Sequence, residues 1–279
     1  MAINLTEKFT EHVDEMFTTE SKKALVTNRD YNWTGAHTIK VHKVNTVGMN
    51  DYDRSGTGEN SSRYGALGSV ENTLEEFTLR KDRSFTFAID KLDKDETGGV
   101  LSGASALARQ QREIIITEVD AYTYGVMCAG AGTKVTDVTL SNENIYDEII
   151  KGTEALDDAE VPDVGRVLTV TPGVYRMMKK CPDIALDCDI SAEQKLSGVI
   201  ALLDGMEVVK IPKNRMPEKF GFMIAHPVAT VAPTKLEEYK VHQDPPGISG
   251  ELVEGRIVYD AFVLDNKKKA IYYMENKAS

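Results

Sequence analysis

The chain has 279 residues, 41% of them hydrophobic, enough for one large domain or two closely joined ones around a sizeable core. Lys and Arg number 33 against 44 Asp and Glu, and the resulting net charge of −11 opposes tight, sequence-independent binding of nucleic acid over the whole surface. The N-terminus, MAINLTEKFTEHVDE, lacks the basic-then-apolar pattern of an export signal, and no apolar run approaches the roughly 18 residues of a membrane span, so export and membrane insertion are not expected.

Cys128, Cys181 and Cys188 are an odd number in a chain large enough to fold without staples, which predicts reduced thiols in a cytoplasm. Residues 4–17 predict an amphipathic helix, with Asn4 and Glu7 spaced as a capping box and Leu5, Phe9, Val13 and Phe17 on one stripe. A helix of that length is barely stable alone and needs a surface to lie on. HTIKVHKV at 37–44 alternates as a strand. EEFTLRKDRSFTFAID at 75–90 alternates on both sides of Lys81-Asp82-Arg83, which predicts a hairpin pairing Phe77 and Leu79 with Phe85, Phe87 and Ile89. Between these strands, residues 49–72 are rich in Gly, Ser, Asn and charge and too polar for a core of their own. A long excursion of this kind inside a compact domain is uncommon, and it is expected to be functional or ordered by a partner.

From Val100 to about Ala129 there is no Pro, and Leu107, Ile114, Ile115, Val119, Tyr122 and Val126 recur at helical spacings. Thirty residues of helix make a rod of roughly 45 Å, a spine for the domain. Asp95, Glu96 and Thr97 mark its expected start, and Gly130-Ala131-Gly132 its end, with glycines suited to left-handed caps. KVTDVTL then predicts a strand, the stretch from Asn142 or Asn144 to about Leu156 a helix, RVLTV at 166–170 a buried strand, and Pro172–Lys180 a helix with Pro in its first turn. GVIALL, the Asp204-Gly205 turn, MEVVKI and FGFMIAHPVATV add two or three strands, giving an α/β unit. GRIVYDAFVL, DNKKK and AIYYM predict a closing hairpin, with Lys267-Lys268-Lys269 as its solvated turn.

Catalytic signatures fail on context. A dinucleotide glycine loop follows a strand and opens a helix, whereas Gly130-Ala131-Gly132 closes one, and Gly56-Thr57-Gly58 lacks the rest of a phosphate loop. His12, His37, His42, His226 and His242 are dispersed, and Cys181 and Cys188 are too far apart for a zinc knuckle. No nucleophile elbow or local Cys and His signature occurs. No catalytic, cofactor-binding or metal residue is assigned, and no cofactor is expected.

The order of parts, together with VDAYTYGVMCAGAG at 119–132, GRVLTVTPGVYRMMKK at 165–180, GMEVVKIPKNRMP at 205–217 and FGFMIAHPVATVAP at 220–233, resembles the tailed-bacteriophage major capsid (coat) proteins with the Hong Kong 97 phage coat fold. The likeness runs from about Asp30 to Tyr273. It implies an α+β fold: an N-terminal arm at 1–36, an extended β loop with adjoining strands at 37–92, a peripheral domain with the spine helix at 93–139, an α/β axial domain at 140–252, and a return hairpin at 253–279. It implies a virion shell protein that assembles in the host cytoplasm into pentamers and hexamers of an icosahedral head. Its partners would be other copies, a portal, a scaffolding protein and enclosed double-stranded DNA in weak contact. No long coiled-coil segment precedes residue 30, and the Met1 start points to a separate scaffold.

In such a shell the extended loop lies over a neighbouring subunit, and Tyr52, Arg54, Arg63, Tyr64 and Leu67 are the residue types that would anchor it. Some members of the family crosslink a loop lysine to an asparagine on a neighbour. Residues 49–72 hold Arg54 and Arg63 but no lysine, which predicts non-covalent particles. Two other readings share part of the pattern. An encapsulin-like nanocompartment uses the same fold around a protein cargo, and a metal-dependent α/β enzyme could draw on Asp183, Asp187 and Asp189, though without a defined third ligand.

Overall fold

The computed structural model describes residues 21–28, 38–44, 46–56, 62–70, 72–97, 102–184 and 199–277. The expected helix at 4–17 lies outside the described residues, as do Cys188, Asp187 and Asp189. The chain divides into two compact units, Trp33–Leu79 and the remainder on either side of it.

In the smaller unit, β1 (Thr38–Val44) and β2 (Asn72–Thr78) form an antiparallel pair, with Thr38 opposite Thr78 and Val44 opposite Asn72. Thr38 and Thr78 join hydroxyls at 2.9 Å, and Lys40 pairs with Glu76 across the ladder. Such cross-strand pairs are the main local source of stability in a two-stranded ribbon.

The larger unit opens with β3 (Lys81–Asp90) and a short α1 (Lys91–Glu96), capped by the Asp90 carboxylate at the Leu92 amide. The spine follows as α2 (Gly103–Gln110), one wide π turn at Gln111–Ile115, and α3 (Ile116–Gly130). Next come β4 (Thr133–Val138), α4 (Ile145–Asp158), β5 (Val167–Val170), α5 (Pro172–Met178), β6 (Val199–Leu203), β7 (Met206–Lys210) and β8 (Phe220–Ala225). The chain ends with β9 (Thr230–Val231), β10 (Thr234–Gln243), β11 (Gly250–Tyr259), β12 (Phe262–Val263) and β13 (Ile271–Asn276).

Six strands form a mixed sheet in the order β4-β13-β8-β5-β7-β6. Its centre is β8 and β5, where every residue of FGFMIA and VLTV is buried, as continuous apolar strands covered on both faces must be. Successive residues of β13 look to opposite sides: Tyr272 lies against Gly152 of α4, while Tyr273 neighbours Cys128 of α3. A second, antiparallel sheet runs β10-β11-β3. Within it the Phe85 and Tyr239 rings cover Gly255, which has no side chain to fill the space.

Several expectations are corrected. β2 and β3 do not pair with each other, since Lys81, Asp82 and Arg83 are extended and lie opposite Tyr259, Val258 and Ile257. Asp82 is followed by Arg83 and not by the glycine that a tight two-residue turn favours. The closing hairpin is also absent: β11 joins β10 and β3, whereas β13 enters the six-stranded sheet beside β4 and β8. Asp265–Ala270 between them is a 3₁₀ helix with a Lys268–Asp265 ion pair, not an open lysine turn. The spine starts at a Ser102–Ser105 capping box, and Asp95 and Glu96 belong to α1.

The glycines ending the spine serve close approach, since neither Gly130 nor Gly132 has positive φ. A Cβ on Gly132 would sit 2.6 Å from the Lys268 carbonyl oxygen, which already accepts the Gly132 amide at 2.9 Å. Gly125, in mid-helix, has open space instead. Gly132→Ala is therefore expected to destabilise the chain by about 2 kcal/mol or more, as two backbones must part. Gly125→Ala is expected to stabilise it by about 0.5–1 kcal/mol. Urea unfolding of the unassembled chain measures both.

Candidate assembly interface

Residues 46–56 and 62–70 of the smaller unit are tied to each other by hydrogen bonds. The Asp53 amide donates to the Arg63 carbonyl at 3.0 Å, and the Asn50 side-chain amide donates to the Tyr64 and Ala66 carbonyls at 3.3 and 3.0 Å. Gly65 takes φ +80° where a side chain would also strike Asn50, and the Ser62 hydroxyl accepts the Tyr64 amide. Tyr52 and Tyr64 meet edge to face at 5.2 Å, a favoured aromatic geometry. The described parts of this polar excursion are thus braced by a few polar contacts of their own.

The five anchor candidates separate by environment. Tyr52 and Tyr64 come together, with Tyr64 79% exposed, whereas Leu67 stands apart and wholly exposed. Arg54 and Arg63 are exposed, and neither meets a carboxylate among the described residues. Sequence reasoning missed Met49, as exposed as Leu67, and the bracing role of Asn50. An Asn fourteen residues before a Tyr-Gly pair is a signal visible only once the ribbon closes. Of the twelve large hydrophobic side chains exposed among the described residues, six lie between 46 and 70, namely Val47, Met49, Tyr52, Tyr64, Leu67 and Val70, and a seventh, Leu74, lies in β2.

In the larger unit, two carboxylates hold the start of β3. Asp260 accepts the Arg80 amide at 2.8 Å and the Tyr122 hydroxyl of α3 at 2.7 Å. Burial and then Asp260 push the Tyr122 hydroxyl up to about 12. Glu118 accepts the Tyr259 hydroxyl at 3.0 Å and pairs with Arg83 at 2.8 Å, while Lys81 lies 4.8 Å over the Tyr122 ring. Residues 80–83 are in this way fastened to the spine.

The other end of β3 meets the start of the spine at Glu251. Its buried carboxylate accepts from Lys94 at 2.6 Å, Gln243 at 3.0 Å and the Gly103 amide at 2.5 Å. Gly103 permits this approach, since a Cβ there would lie 2.7 Å from the Glu251 oxygen. These donors, Lys94 foremost, hold the carboxyl well below its usual range, at about 2. No group of three His, Cys, Asp or Glu side chains gathers for a metal ion among the described residues, and no described helix is long and apolar enough to cross a membrane.

The chain has the fold of phage capsid proteins, and the likeness runs end to end. The structure described as Mycobacterium phage Che8 matches with a TM-score of 0.76 at 18% identity, covering 100% of both chains. The capsid structure of the cyanophage P-SCSP1u matches at 0.72 and 13% identity, covering 99% of this chain and 94% of that one. The mature capsid of bacteriophage PhiM1 matches at 0.71 and 13% identity, covering 99% and 93%. No protein-family model matches the sequence, and no curated protein does.

Because the Glu251 pKa is depressed in the folded chain, its stabilisation is complete above the unfolded value near 4.5 and is lost as pH falls from there towards about 2. Glu251→Gln is expected to lower stability at neutral pH by about 1–3 kcal/mol and to flatten the pH dependence in that acid window. Denaturant unfolding at a series of pH values checks both.

Proposed function

We propose that the chain is a structural major capsid protein, copies of which form the pentamers and hexamers of an icosahedral phage head around double-stranded DNA. It acts by geometry and not by turnover. The observation that carries this reading is the likeness to phage capsid structures over the whole chain. In this reading residues 37–92 form the extended loop over a neighbouring subunit, 93–139 and 253–279 the peripheral domain, 140–252 the axial domain, and 1–36 the arm. A portal and a separate scaffolding protein complete the assembly, and the particle is a virion capsid built in the host cytoplasm.

The exposed ribbon supports the reading physically. Tyr52, Arg54, Arg63, Tyr64 and Leu67, with Met49, would anchor it on the next subunit. Burying one fully exposed Leu or Met is worth about 1.5–3 kcal/mol, and a closed shell repeats that gain at each contact. The main core cluster of the larger unit, in turn, draws on no described residue between 33 and 79.

Deleting residues 51–68 is therefore expected to leave a chain that folds, by circular dichroism and thermal unfolding, yet forms no closed shells under the electron microscope. Normal shells from the deletion would overturn the role assigned to the ribbon. With no lysine at 49–72, mature shells are expected to run as a single monomer band on a denaturing gel. A ladder of covalent multimers would contradict this.

A further inference from the structure

In this acidic chain, two lysine ammoniums lie over one aromatic ring. Tyr175 of α5 is half-buried, and Lys179, one helical turn on, brings its ammonium within 5.3 Å of the ring centroid. Lys210, the last residue of β7, brings a second ammonium within 5.7 Å of the same ring. Lys22, from the segment before the smaller unit, donates to the Lys210 carbonyl at 3.3 Å. Burial foremost, and then the charges of Lys210 and Arg215, press the Lys22 ammonium below its usual range.

The nearby acid, Asp120, is engaged by Arg215 at 2.9 Å and by the Ser21 hydroxyl at 2.6 Å. Lys179 and Lys210 are exposed, and neither meets a carboxylate among the described residues. Arg176, Lys180 and Lys213, exposed on the same two segments, extend the basic character. Among the described residues no large apolar side chain is exposed on α5 or from β7 to Arg215, which disfavours a lipid surface.

We propose that Lys179 and Lys210, set on the Tyr175 ring, are a contact site for the phosphate backbone of double-stranded nucleic acid. Two lysine ammoniums are compact point charges suited to phosphate oxygens. They read no sequence, and so few contacts hold weakly and release with salt. The net charge of −11 opposes a grip on the polyanion by the whole surface and favours local contacts. The site rests on the coat reading for its biological setting, but its chemistry is testable without assembly.

The test is fluorescence anisotropy of a random-sequence duplex of about 20 base pairs, titrated with the full-length unassembled chain between about 50 and about 200 mM salt. The Lys179→Gln/Lys210→Gln variant is expected to bind several-fold more weakly, with a log–log salt slope shallower by about 2 than that of the parent. A Lys235→Gln/Lys267→Gln control is expected to match the parent. Inorganic phosphate is expected to displace the duplex. An unchanged slope in the first variant would overturn the site, as would displacement by polyglutamate but not by phosphate, which would assign the patch to an acidic protein segment. Electron microscopy of the same variant separates the two claims. Shells that form with an unchanged slope sink the site alone, whereas a parent chain that never assembles sinks the coat reading and leaves the binding comparison standing.

Discussion

A guanidinium and a carboxylate withdrawn from water hold the spine to the rest of the larger unit. Arg215 and Asp120 are 1% and 0% exposed and meet at 2.9 Å. Burial pushes the Asp120 carboxyl above its usual range, and the Ser21 hydroxyl and Arg215 draw it back. Desolvating each ion costs several kcal/mol, and removing one partner of such a pair costs about 3–5 kcal/mol because the other is stranded. Three distant parts of the chain converge on this point: the segment at Ser21, the middle of α3, and the turn after β7. The pair also fixes how α3 is rotated. Val119 and Tyr122 then face Ile257 and Tyr259 of the three-stranded sheet, while Tyr124 and Met127 enter the main core. A helix apolar on more than one face must be enclosed, and here two sheets enclose it.

The smaller unit obeys the opposite rule. Its ribbon is ordered by the Asn50 amide, the Asp53–Arg63 backbone bond and one aromatic pair, contacts that set shape while burying little. Its Met49 and Leu67 side chains are left wholly in water. One unit thus buries a continuous apolar core, and the other leaves large apolar side chains exposed. The first is stabilised by its own burial, whereas exposed apolar side chains of the second gain nothing from its own fold.

Much of this architecture was legible in the sequence, because periodicity reports local structure. The spine, β1, α4, β5 and α5 with its Thr171-Pro172 start all follow from apolar spacing and turn chemistry. The Asp204-Gly205 turn follows from residues that tolerate positive φ, which both adopt. What failed was pairing. Alternation marks β2 and β3 as strands but does not say which neighbour each takes, and Asp260, which receives Arg80 and Tyr122, carries no local signature. β10 was unread because Glu237 and Glu238 interrupt the alternation of TKLEEYKVHQ. The π turn at 111–115 and the Arg215–Asp120 pair are likewise tertiary facts. Among the candidate anchors, aromatic and arginine content pointed to the ribbon, but its bracing by Asn50 and Gly65 depends on a closure that no spacing rule encodes.

The most direct test of the coat assignment is negative-stain electron microscopy, with light scattering for mass, of the purified full-length chain expressed alone and with a scaffolding protein. Closed shells, or rings of five and six, are the predicted result. A monomer or small dimer that persists under every condition would contradict it.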